Sequence, residues 1–206
     1  AIILIIIYKP LSTVLLTFIN PTHQFTFPKV LSLPFFVISL FLALLSIKKK
    51  LNVKQSWRRS IWRFIFGGII GIAFTSLEGI AMIEFLDFPF PPNPGLSSLI
   101  YPFYQLGYAA VPEEPVFRGF LWGGLRRAGV KDFWILLIQA LLFTLGHIGL
   151  LSSKQGVLYL ALILLGAILM GVLVWRSKRL SSSIAFHGFG NGSHIFQYWI
   201  YSLLMK

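Results

Sequence analysis

Three short groups of residues in this chain have the types and spacing to do chemistry. Glu113 and Glu114 stand side by side, and Arg118 follows the second by four. Phe143 precedes His147 by four residues, and His187 precedes Asn191 by four. Each group lies in a long apolar stretch. The chain has only 6 acidic residues in 206, so two adjacent carboxylates in such a stretch need a reason. An ionisable side chain inside a membrane span costs about 2.5–3.5 kcal/mol on insertion scales and marks a functional site by default.

The spacing divides the labour within each group. On a helix Glu114 and Arg118 share a face, and each makes the other tolerable in lipid. Glu113 points about 100° away around the helix, so it cannot use the same arginine equally well and is the carboxylate left for work. Pro112 and Pro115 flank the pair. A proline inside a span frees backbone groups and often marks non-helical backbone lining a cavity. If a helix starts near Pro112, its dipole favours an ionised Glu113. Phe143 has the spacing to pack under the His147 imidazole, and His187 and Asn191 face one way.

Two chemistries fit this set. In one, a glutamate takes a proton from water, one histidine orients that water, and the other histidine and the asparagine donate to a developing oxyanion. In the other, His147, His187 and a glutamate such as Glu113 bind a divalent metal such as Zn, which lowers the pKa of its water toward ~7. Metal-free water activation is equally compatible with the sequence. Each group also has a purely structural reading. The carboxylates could serve as polar glue for Arg118, and the histidines and Asn191 as interhelical hydrogen-bond partners. His194, one heptad past His187, is read as an interfacial or packing residue. Glu78 could be a second partner for Arg118 or line a cavity, and His23 is read as a loop residue.

These groups need a membrane scaffold. The chain is 56% hydrophobic and 12% charged, against about 25% charged for a soluble domain. Its net charge is +12. The cations fall in short runs between apolar stretches, which is the pattern of span orientation and not of nucleic-acid binding. There is no Cys, hence no disulfide framework and no thiolate chemistry. Asn191-Gly192-Ser193 matches a glycosylation pattern but lies within an apolar stretch, so it is read as a false positive.

The expected fold is all-α: a polytopic transmembrane bundle of about seven spans, or eight if a further span precedes Ala1. Expected spans cover about 1–19, 33–47, 61–83, 99–125, 133–151, 156–175 and 182–204. Gly67 and Gly71 in the third permit close helix packing, and Trp57 and Trp62 suit an interfacial belt. The basic loops 48–63, 126–131 and 176–179 then fall on one side, the cytoplasmic one, while the proline-rich 84–98 segment, without Lys or Arg, lies outside. No internal repeat and no second domain are visible. Residues 1–206 form one integral membrane domain whose motif-bearing core is about 99–204.

Glu-Glu-x-x-x-Arg, then Phe-x-x-x-His, then His-x-x-x-Asn, each on its own span and in this order, resembles the family of CAAX proteases and bacteriocin-processing enzymes, which includes the type II CAAX prenyl endopeptidase. The likeness covers about 99–204. It implies a polytopic α-helical intramembrane endopeptidase, metallo- or glutamate-dependent. Glu113 and His147 would activate water, His187 and Asn191 would stabilise the oxyanion, and Glu114 and Arg118 would support the site or bind a substrate carboxylate. The implied substrate is a membrane-associated peptide or protein, prenylated in the eukaryotic role. The implied setting is the lipid bilayer, expected to be a bacterial cell membrane, with no nucleic-acid partner. Pro115 departs from the non-proline apolar residue of many members and bears on local helix geometry. The alternatives are a catalytically silent membrane regulator or bacteriocin self-immunity factor on the same scaffold, and a proton-coupled carrier. The complete Glu/His/His/Asn set disfavours the silent scaffold, and the lack of inverted repeats disfavours the carrier.

Overall fold

A computed structural model of the chain describes residues 57–86, 95, 99, 101–153 and 155–204. The described residues form helices joined by short turns, with no strand among them. The expected spans 1–19 and 33–47, most of the 84–98 segment and His23 lie outside them.

The chain opens, among these residues, with α1 (Trp57–Leu86). A continuous helical run follows: α2 (Tyr101–Gln105), a π-helical stretch (Leu106–Ala110), α3 (Val111–Glu114), a second π-helical stretch (Pro115–Leu121) and α4 (Trp122–Arg127). Then come α5 (Asp132–Leu145), a 3₁₀ turn (Ile148–Ser152), α6 (Gly156–Ser177), α7 (Ser181–Asn191) and α8 (His194–Leu204). Two of these helices are long and apolar enough to cross a bilayer, over Arg58–Glu84 and Gly156–Ser177. Asp132–Leu145 is apolar but shorter.

Three of the expected spans differ in detail. The fourth is not a uniform α-helix. Pro112 and Pro115 have no N–H to donate, and a proline ring presses on the carbonyl four residues back; a wider π turn relieves that pressure. The fifth ends its α-helix at Leu145 and finishes in the 3₁₀ turn. The last is two helices, broken at Gly192 and Ser193.

Two compact units divide the chain, one within Val111–Val172 and the other within Gln55–Ala110 and Leu173–Lys206. In the second unit α7 is the central element. Ser182, Ser183, Ala185, Phe186, His187, Gly188 and Gly190 on it are all buried. One side of α7 packs on α1, where Gly67 sits against the Ser182 backbone and Gly71 against that of Phe186. Its other side packs on the Tyr101–Ala110 stretch, where Gly188 meets Leu106. Phe74 and Phe186 stack with centroids 5.6 Å apart, and Phe64 meets Phe189 edge-on at 5.8 Å. At the break after α7, Thr75 Oγ1 and Ser193 Oγ share a hydrogen bond of 2.7 Å.

In the first unit a helical corner joins α4 to α5. Gly129 takes φ +84°, its N–H donates to Arg126 O at 3.1 Å, and Val130 N–H donates to Leu125 O at 3.0 Å. This closes α4 in a Schellman motif. Asp132 in the first turn of α5 is ion-paired with Arg126 and accepts from Trp122 Nε1 at 3.3 Å. A carboxylate at that position also suits the positive end of the helix.

Gly68 and Gly71 on α1 separate close approach from mere propensity. A Cβ at Gly71 would overlap the Phe186 backbone, whereas one at Gly68 would meet only the Phe189 ring, at 3.5 Å. Gly71→Ala is therefore expected to destabilise by about 1–3 kcal/mol. Gly68→Ala is expected to be neutral or stabilising by about 0.5–1 kcal/mol, because alanine is the better helix former. Unfolding of the two variants in detergent micelles measures the difference.

Candidate functional site

The Glu113–Arg118 group occupies the most irregular backbone of the first unit. The four residues Val111–Glu114 keep α geometry between the two π stretches. Within this turn the carboxylates part company, as the spacing suggested. Glu114 is fully buried and bonds Arg118 Nη1 through Oε1 at 2.9 Å. Glu113 is half-buried and makes no hydrogen bond or ion pair among the described residues.

Arg118 is held on several sides. Its Nη2 donates to the Ala167 carbonyl on α6 at 3.2 Å. Its guanidinium carbon lies 4.5 Å from the Phe143 ring centroid and 5.7 Å from that of Phe117. Those two rings meet edge-on, with centroids 5.1 Å apart. A desolvated cation over an aromatic face gains about 2 kcal/mol or more, so Phe143 is an energetic partner of the ion pair and not only a packing residue.

Phe143 carries this arrangement to His147. The two rings lie 5.0 Å apart, tilted by 35°. The Phe143 carbonyl is among the last four of α5. The His147 N–H bonds Thr144 O instead, at 2.8 Å, and the imidazole Nδ1 lies 2.9 Å from Phe143 O. A carbonyl can only accept, so Nδ1 carries a proton, and in the neutral form of the ring the lone pair is then on Nε2. His147 thus sits just past the helix end, where its side chain closes the helix and its tautomer is set by the backbone.

The third group lies in the other unit. His187 is buried on the central helix α7, and Asn191 is the last residue of that helix and exposed. Glu78 lies on α1 and His194 opens α8. The structure therefore joins Glu114, Arg118, Phe143 and His147 by direct contact, with Glu113 next to the first of them in sequence, and within the second unit places His187 and Asn191 one helical turn apart. Within each unit, among the described residues, no three His, Asp or Glu side chains group as metal ligands. Glu114 is committed to Arg118, which leaves Glu113 and His147 as the donors of the first unit. A catalytic zinc site uses three protein ligands, and His187, the third expected ligand, belongs to the other unit.

Two functional neighbours were not singled out from the sequence. Gln139 is fully buried, and its Nε2 donates to Leu136 O at 3.0 Å and to Ala167 O at 3.3 Å, the carbonyl that also holds Arg118. The signal was present, since Gln139, Phe143 and His147 are spaced by fours. Gly171 leaves the room for this contact, because a Cβ there would strike Leu136 and Gln139.

Residues 95–193 match the family described as type II CAAX prenyl endopeptidase Rce1-like. This stretch holds all three motifs, so the residues that carry the resemblance are the ones the family model matches. No curated protein and no solved structure matches the chain.

The buried ion pair makes a prediction about stability. Glu114→Leu alone strands a desolvated guanidinium and is expected to cost about 3–5 kcal/mol. Adding Arg118→Met removes both charges and is expected to recover most of that loss. Denaturant unfolding of the single and double variants checks this. A double variant no more stable than the single one would show that the charges do not depend on each other.

Proposed function

We propose that this protein is an intramembrane endopeptidase that hydrolyses a peptide bond of a membrane-associated peptide or protein, with water activated by Glu113 and His147. The observation that carries the reading is the bond between His147 Nδ1 and Phe143 O. It leaves Nε2 as the accepting nitrogen, the state a histidine needs to receive a hydrogen bond from water. The commitment of Glu114 to Arg118 complements it, because Glu113 then keeps a carboxylate for proton transfer.

The chemistry follows. Glu113 takes a proton from a water that His147 orients through Nε2. The oxygen attacks the scissile carbonyl carbon, and His187 and Asn191 donate to the oxyanion that develops. Glu113 returns the proton to the departing amine as the C–N bond breaks. General base action of this kind contributes about 10²–10⁴-fold, and each oxyanion donor about 10²–10³-fold. Arg118 is assigned a supporting role and not substrate binding, since its side chain has 0% exposure. A prenylated substrate fits the family name, and a seven-span topology with cytoplasmic basic loops fits the charge pattern.

The test is proteolysis in liposomes with a panel of quenched peptides that includes a farnesylated CAAX peptide. Glu113→Gln is expected to lower kcat by about 10²–10⁴-fold with an unchanged melting temperature, because Glu113 has no bond to lose. His147→Ala is expected to lower kcat by a similar factor. A chelator lane separates metal-bound from carboxylate-activated water. Full cleavage by both variants would overturn the assignment.

A further inference from the structure

The cytoplasm-facing end expected for α1 carries a second feature that hydrolysis does not use. Arg58, Arg59 and Arg63 open α1, and Arg176, Lys178 and Arg179 surround the turn from α6 into α7. All six belong to the second unit. The two segments brace each other reciprocally. Arg63 Nη1 donates to Ser177 O at 2.9 Å, and Arg179 Nη1 donates to Ser60 Oγ at 2.9 Å. Ser60 and Arg63 are three apart and Arg59 and Arg63 four apart, so these positions share one face of α1.

Each brace uses one N–H of a guanidinium that carries five. It therefore fixes the cation in place while leaving it able to bind an anion. The next acidic residue along α1 is Glu78, fifteen positions past Arg63 and so about 22 Å away along the axis. The turn itself is held by Ser177, whose Oγ donates to Arg179 O at 3.0 Å and accepts from Arg179 N–H at 3.2 Å. Between them Lys178 takes φ 55°, a left-handed conformation that disfavours any residue with a Cβ. A lysine kept where glycine would fit better suggests that the charge has a use.

The neighbouring surface identifies the ligand. Beside and just past the cations, α1 exposes Trp62 (71%), Phe66 (57%) and Ile69 (60%). An apolar face that begins with a tryptophan is the boundary between headgroups and hydrocarbon, so the arginines stand at phosphate depth. Basic pockets between helices at that depth bind anionic headgroups. We propose that Arg63 and Arg179, with Arg59 and Lys178 beside them, form a binding site for the phosphate of an anionic phospholipid.

The test uses the full chain in neutral detergent with phosphatidylcholine alone, with added phosphatidylglycerol, or with inorganic phosphate at matched concentration. Melting is followed by tryptophan fluorescence and bound lipid by native mass spectrometry. Phosphatidylglycerol is expected to raise Tm by about 5 °C and to leave a retained lipid adduct, while phosphatidylcholine and inorganic phosphate do neither. Arg63→Gln with Arg179→Gln is expected to lose adduct and shift together. Lys178→Gly relieves the turn, so it is expected to keep or raise the Tm in phosphatidylcholine and still reduce the phosphatidylglycerol shift. This arm decides the matter if the double variant does not fold. Arg127→Gln, on the other basic segment, is expected to keep the whole shift. The proposal is overturned by a wild type indifferent to phosphatidylglycerol, by a shift that survives the glutamine pair or Lys178→Gly, or by inorganic phosphate reproducing the whole effect, which would assign the site to a soluble ligand.

Discussion

A guanidinium with no solvent exposure, lodged among apolar side chains, is the constraint on which the first unit depends. Desolvating an ion costs several kcal/mol even after relaxation, so Arg118 needs close partners for its charge. Glu114 supplies the charge and Ala167 a carbonyl. Phe143 supplies an aromatic face. The same ring also packs against His147. The positions of a carboxylate, an arginine, a ring and an imidazole are thus linked by the need to neutralise one buried cation, and Glu113 is the group this arrangement does not consume.

Both units use the same device to bring a polar side chain from one helix onto the backbone of another. A helical carbonyl points toward the residue four positions on, and a side chain there covers it. Gly171 uncovers Ala167 O for Arg118 and Gln139. Gly79 likewise stands four residues past Thr75, whose carbonyl accepts from Gln197 Nε2 at 2.8 Å. Polar contacts of this kind hold apolar helices where hydrophobic burial gives little preference for one neighbour over another. They fix rotation and register, which a water-activating site requires more than it requires raw stability.

The parts of this arrangement differ in how legible they were from residues alone. The Glu114–Arg118 pair could be read because a four-residue spacing has one meaning on a helix. Phe143 and His147 share that spacing, yet their relation is richer: His147 has left the helix and closes it, and it does so by a bond to the Phe143 carbonyl that no side-chain pattern reveals. The π turns were foreshadowed by Pro112 and Pro115, which predict a disturbance but not its form. Gln139 was visible as an amide on the face of Phe143 and His147. Its purpose became clear only with Ala167 and Gly171, which are apolar or small and carry no signal of chemistry. The break at Gly192 and Ser193 was hidden by an otherwise continuous apolar run.

The most direct measurement is the tautomer of His147, read from the ¹⁵N shifts of labelled histidine in nanodiscs. The chain has 4 histidines, so His147→Asn assigns the signal by its disappearance. The account predicts a neutral ring protonated on Nδ1, with Nε2 in the range of an accepting nitrogen. A ring protonated on Nε2 would contradict it, since His147 could then neither close its helix nor accept from water.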